Sequence, residues 1–217
     1  MKNQNKKKSE IEVSKHVNII YDIVFACLLI FSIGSIIGSY FFNYSFLMIT
    51  CVIFYFVFLF GLFMTNNDNT KLAMIILTSF LMGVTISPII VIANNVDETI
   101  LITAFVNSIL IFGIFTYLSK FIKSKQIIIM GGFLFQSLVC IVAFSIIFNS
   151  SKEIKLVYLF AGLVIFCGYI AYDTAVIYDI VRYSKLNHFD YASSLVLIII
   201  SVFINILRIL IILYDTK

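Results

Sequence analysis

Seven apolar runs, near 18–41, 46–65, 72–94, 99–119, 126–148, 155–181 and 190–213, take up most of this 217-residue chain. Each is about the ~20 residues an α-helix needs to cross the hydrocarbon core of a bilayer. Backbone groups in lipid must be satisfied within the segment, so continuous runs of this length read as membrane helices. The connectors are short, which makes neighbouring helices antiparallel and leaves no stretch for a soluble domain. Hydrophobic residues make up 62% of the chain and charged ones 12%. A water-soluble globule could not hide that much apolar surface. The sequence therefore predicts an all-α membrane protein, a seven-transmembrane helix bundle. Positions 1–17 form a basic arm before it, and 18–217 form the membrane domain.

Basic residues set the expected orientation, because Lys and Arg concentrate on the cytoplasmic side. With the N-terminus cytoplasmic, Lys2, Lys6, Lys7, Lys8, Lys15, Lys71, Lys120, Lys123, Lys125, Arg182 and Lys185 lie inside. Lys152, Lys155 and Lys217 lie outside, which puts the C-terminus on the opposite side. The first apolar run is longer than a signal-peptide core and lacks a small-residue cleavage site, so it reads as a retained span. The net charge of +4 then reflects topology and affinity for anionic membrane lipids, not nucleic acid. Cys27, Cys51, Cys140 and Cys167 fall singly inside spans, with neither metal-ligand nor disulfide spacing, and read as packing residues. No cofactor is called for.

Polar residues inside the spans carry the functional signal. Gly34 and Gly38 in span one are spaced for close helix contact, with packing inside the bundle the default over dimerisation. Pro88, the one proline, should kink span three and free a carbonyl one turn back. Thr85 and Ser87 are placed to satisfy the freed group. Asp173 lies inside span six, roughly 12 Å from its inner boundary at ~1.5 Å per residue. Intramembrane carboxylates are costly and usually line a cavity or an ion path. On span seven, Ser194, Ile198, Ser201, Asn205 and Arg208 fall on one helical stripe. Four of these five are polar, so the stripe should face the bundle interior. Ile198 and Ser201 lie at about the depth of Asp173, whereas Arg208 is too far along the helix to meet it and can snorkel outward.

Tyr169-Ile170-Ala171-Tyr172-Asp173-Thr174 is followed by Asp190 and Ala192-Ser193-Ser194-Leu195-Val196-Leu197, then Phe203-Ile204-Asn205-Ile206-Leu207-Arg208. This pattern resembles the Bax inhibitor-1 family of transmembrane Bax-inhibitor-motif proteins and their bacterial relatives. Gly83-Val84-Thr85-Ile86-Ser87-Pro88 is similar to that family's third-span signature. The resemblance covers nearly the whole chain, making 18–217 a seven-span Bax inhibitor-1-like domain. It implies a calcium leak controlled by pH, gated by an aspartate pair on spans six and seven that shares a proton. Asp173 matches the first aspartate. The second should follow Leu197, where this chain has Ile198. The basic cluster that bacterial members carry after span two is nearly absent from Asn66-Asn67-Asp68-Asn69-Thr70-Lys71. The expected consequence is weakened or shifted pH control, with Ser201 as a donor to the ionised carboxylate.

The expected gate or pore set is therefore Asp173, Ser201, Asn205, Ser194 and Arg208, with calcium or another cation as permeant ion. In a bacterial cell the membrane would be the plasma membrane. The alternative is a non-conducting regulator of a membrane quality-control protease or stress response, with the Lys2–Lys15 arm as contact site for a membrane protein partner. Catalysis is not expected. Tyr172-Asp173 resembles the Tyr-Asp pair of intramembrane aspartyl proteases, but no span supplies the second aspartate. His16 precedes span one and His188 falls in a loop, which leaves no Ser-His arrangement or zinc site. No mid-membrane lysine offers itself to retinal.

Overall fold

The computed structural model describes residues 2–40, 45–65, 67–148, 151–180 and 188–214. Among these, seven α-helices follow one another: α1 (Lys2–Tyr40), α2 (Ser45–Met64), α3 (Asp68–Val96), α4 (Glu98–Leu118), α5 (Ser124–Ile147), α6 (Lys152–Ile180) and α7 (His188–Tyr214). A 3-10 turn, Ser119–Phe121, follows α4. Among the described residues, six helices are long and apolar enough to cross a membrane, and α2 contributes the shorter apolar stretch Ile49–Leu62. The chain is thus an all-helical, multi-pass integral membrane protein. Helix α1 runs without a break through position 17, so the basic arm and the first span are one helix. Of the basic residues that set the expected orientation, Arg182, Lys185 and Lys217 lie outside the described residues.

The chain divides into two compact units. The first, Met1–Ile92 with Val181–Val196, holds α1, α2, most of α3 and the start of α7. Its defining contact is glycine-made. A Cβ on Gly34 would overlap the Phe80 carbonyl oxygen of α3, and one on Gly38 would sit 2.8 Å from Val84 Cα and 2.6 Å from Ser87 Oγ. Reciprocally, a Cβ on Gly83 would overlap the Phe31 carbonyl oxygen and lie 2.8 Å from Ser35 N. The backbones of α1 and α3 touch directly, as small residues allow. The Gly34/Gly38 spacing therefore serves packing within the chain. Helix α2 meets α3 where the Met74 side chain lies against Gly61.

Pro88 sits inside α3 and has no N–H for the carbonyl of Val84 one turn back. Ser87 Oγ donates to that carbonyl at 2.8 Å, and Ser87 is fully buried. Thr85 Oγ1 instead donates to Met82 O at 2.9 Å. Of the two hydroxyls the sequence offered, Ser87 satisfies the freed group. Ser87→Ala would leave the carbonyl unpaired, at a cost of about 1–3 kcal/mol. The expected result is a lower Tm for the purified protein in detergent, and an unchanged Tm would contradict this account.

The second unit, Ala93–Ile180 with Leu197–Lys217, holds α4, α5, α6 and the rest of α7. Asp97 alone joins α3 to α4. Its extended backbone and side chain make it the N-cap of α4, accepting from Thr99 N at 2.7 Å and Thr99 Oγ1 at 2.6 Å. The Thr99 hydroxyl, and then its N–H, hold the Asp97 carboxyl below the usual carboxylate range. Helix α6 packs against α4 and α5. Gly168 of α6 receives Leu134 of α5, and Gly131 of α5 receives the Tyr172 ring of α6. Ile128, Ile129, Phe133 and Phe135 on α5 are exposed, as suits a surface whose solvent is lipid. Helix α7 is the most buried of the six long apolar helices and α5 the least.

Candidate functional site

Helix α6 carries Asp173 on a stretch that is otherwise closed by small and branched side chains. Ile170, Ala171, Ala175 and Ile177 are all buried, whereas Asp173 is half-buried. Small residues on this stretch and Gly168 let α5 approach closely, and Tyr172 lies against Gly131. Tyr169 and Tyr172 meet edge to face, with ring centroids 6.4 Å apart. Tyr169 stands one turn before Asp173, close enough to feel its charge. Thr174, next in the chain, is 1% exposed, and its hydroxyl oxygen has no hydrogen-bond partner among the described residues. A membrane-helix threonine ordinarily bonds back to the preceding turn. One and a half turns on, Asp179 accepts from Ser124 Oγ at 2.6 Å, tying the start of α5 to the end of α6.

Ser201 and Asn205 of α7 hydrogen-bond to the backbone of their own helix. Ser201 Oγ donates to Leu197 O at 2.7 Å, and Asn205 Nδ2 donates to Ser201 O at 2.8 Å. The hydroxyl proposed as a donor to Asp173 thus spends its proton on the α7 backbone. Asn205 also turns toward α6: its Oδ1 would lie 3.4 Å from a Cβ on Gly162. Ser194, Ser201 and Asn205 are half-buried, Ile198 is 8% exposed and Arg208 is exposed. The stripe therefore runs from a half-buried start to an exposed end. Its outer cation is available to water or lipid headgroups.

Two constellations were invisible to the reading of single spans. His188 is the first residue of α7 and not part of a loop. Its Nε2 lies 2.8 Å from His16 Nδ1 of α1, and the rings stack with centroids 5.0 Å apart. Asp190, two residues further along α7, accepts from Lys71 Nζ with both oxygens, at 2.7 and 2.9 Å. Lys71 had counted toward the expected orientation and as the remnant of a basic cluster after span two. It is a buried cation with a built counter-charge, its side chain 6% exposed against 40% for Asp190.

The family described as Bax1-I, "Inhibitor of apoptosis-promoting Bax1", matches residues 13–214. Bax inhibitor 1 of Arabidopsis thaliana is 29% identical over 147 residues, covering 66% of this chain and 60% of its own length. Bax inhibitor 1 of Oryza sativa subsp. japonica is 27% identical over 147 residues, covering 66% of this chain and 59% of its own. Bax inhibitor 1 of Homo sapiens is 26% identical over 147 residues, covering 67% and 62%. The chain thus spans 59% to 62% of the length of these relatives. A family match from the end of the basic arm to the last turn of α7, on an all-helical apolar fold, identifies the chain as a member of the Bax inhibitor-1 (Bax1-I) family of membrane proteins.

Proposed function

We propose that this protein is a passive cation pathway, most simply a calcium leak, whose ionisable centre is Asp173. It crosses the membrane seven times with its N-terminus cytoplasmic. The observation that carries the reading is the pair Asp173–Thr174: a half-buried carboxylate followed by a fully buried hydroxyl with no partner among the described residues. A buried hydroxyl without a partner is costly in hydrocarbon unless water or a cation visits it, and it stands beside an intramembrane carboxylate, a residue type that usually lines an ion path. A residue that only fixed packing would have its hydroxyl spent on the preceding turn, as Ser201 has. Ile198, being apolar, offers no second carboxylate. Without a carboxylate at position 198 the coupled titration of a pair is missing, so the pH response is weakened or shifted.

Calcium flux into liposomes holding the purified protein tests this. Asp173→Asn is expected to lower flux about tenfold, equivalent to ~1.4 kcal/mol in barrier, with the protein still folded. Ile198→Asp is expected to add a steep pH dependence between about pH 6 and 8 that the wild type lacks, since two close carboxylates titrate as a pair. Unchanged flux in Asp173→Asn would assign the residue to packing. Wild-type flux no higher than that of empty liposomes would leave the protein a non-conducting regulator.

A further inference from the structure

His16 and His188 are the only two histidines in the chain. They stand 172 positions apart, yet their ring nitrogens lie 2.8 Å from each other. A nitrogen–nitrogen contact of that length requires one N–H donor and one bare lone pair, so at least one ring is neutral. If both rings carry two protons, two N–H groups with like charge face each other and neither has an acceptor. The contact joins α1 to the first turn of α7, within the first compact unit.

The surrounding charges bear on how the pair responds. On α3, Asp68 lies near enough for its charge to reach His188. Also on α3, Lys71 engages both oxygens of Asp190 on α7, so that carboxylate is already neutralised although it sits only two residues from His188. On α1, Lys15 precedes His16 and adds positive charge. Arg182 and Lys185, before α7, lie outside the described residues. Among the described side chains, Asp68 is the acidic group whose charge reaches this pair, which would carry two positive charges at low pH; the Glu12 side chain, one turn before His16, lies outside them.

We propose that His16 and His188 form a proton-operated clasp holding α1 to α7, closed with at most one proton bound and opened by the second. The clasp is present at neutral pH and lost as pH falls, because the second proton removes the only acceptor and adds repulsion. It goes beyond the conduction proposed for Asp173 and needs no ion flux to be true. Its chemistry is separate too: imidazoles at one end of the bundle, not a carboxylate within a span.

Because no other histidine is present, nitrogen-15 labelling of histidine gives an unambiguous readout in lipid nanodiscs with chelator present. In the wild type, NMR titration is expected to show two proton-binding steps separated by more than about one pH unit, the mark of coupled sites. Two rings that titrate together as independent imidazoles near ~6.5 would overturn the clasp. Hydrogen exchange supplies the mechanical half. Amide protection at the start of α7 and around His16 is expected to drop about tenfold between neutral pH and pH 5, after correction for intrinsic rates, as one pK unit of coupling implies. In His188→Gln, which keeps a hydrogen-bonding side chain but takes no proton, that pH-dependent drop should vanish. Protection that does not change with pH in the wild type would also overturn the proposal, and that measurement needs no variant to fold. A non-conducting protein would pass or fail these tests unchanged, which separates the clasp from the leak.

Discussion

Gly83→Leu is expected to abolish the folded protein. The position leaves no room for any side chain: even a Cβ would overlap the Phe31 carbonyl oxygen, with Gly34 C only 3.1 Å away. Those atoms belong to backbone, so no rotamer change relieves the clash and the two helices must part. Parting them also breaks the seats of Gly34 on Phe80 and of Gly38 on Val84 and Ser87. In lipid, van der Waals contact of this kind is a principal force between helices, because the apolar effect that drives soluble cores is missing. Overpacking a close-packed interior with even small groups costs about 1–3 kcal/mol, and four added carbons against backbone go beyond that. The expected readout is loss of the symmetric monodisperse peak in size-exclusion chromatography after detergent extraction. Gly113→Ala and Gly132→Ala are the controls, since nothing lies within 4 Å of a Cβ at either site. They should be neutral, or stabilising by roughly 0.5–1 kcal/mol, because alanine suits a helix interior better than glycine. A Gly83→Leu protein with wild-type chromatography and Tm would refute the α1–α3 contact.

The second large effect is asymmetric. Lys71 and Asp190 form one ion pair, but the lysine is buried and the aspartate is 40% exposed in its side chain. Asp190→Ala would strand a buried ammonium without a counter-charge. Lys71→Ala would strand only a carboxylate that water can reach. Breaking a fully buried pair costs about 3–5 kcal/mol. Solvent screening at Asp190 brings the first change toward the lower end, roughly 3 kcal/mol, and the second down to about 1 kcal/mol. The double variant should be more stable than Asp190→Ala alone, because it removes the stranded charge. A double-mutant cycle of Tm values in detergent measures the coupling. Equal losses from the two single changes would mean that the lysine is solvated and the bridge superficial. The result also bears on the His16–His188 clasp, since Asp190 released from Lys71 would become a second acidic neighbour of His188.

How much of this could be read beforehand depends on how local each feature is. The helices were legible because membrane helices are selected by the length of an apolar run, a property of consecutive residues. The run at 72–94 became Asp68–Val96 and that at 126–148 became Ser124–Ile147, with polar turns extending the helices past the apolar edges. Ser87 on the carbonyl freed by Pro88 was legible for the same reason, since donor and acceptor lie three residues apart. The glycines were half legible. Gly34 and Gly38 announced a close approach, but their spacing did not say that α3 would supply Phe80, Val84 and Ser87. Ser201 shows the opposite failure. Its place on a polar stripe suggested a donor to another helix, yet the nearest carbonyl on its own helix took the proton.

Consecutive residues, then, determined that this chain is built of membrane-length apolar helices, where their apolar stretches lie, and that Asp173 is an ionisable group inside one of them. The family resemblance rested on the same kind of local motif, in spans three, six and seven. Which helix ends meet was decided only by the tertiary structure. Lys71 finds Asp190 across 119 positions and His16 finds His188 across 172. No periodicity encodes such partners, because short connectors leave the azimuth of each helix and the choice of its neighbour open. Those are settled when glycine contacts and buried side chains pack together. Charges left at the helix ends then take whichever partner the packing brings within reach.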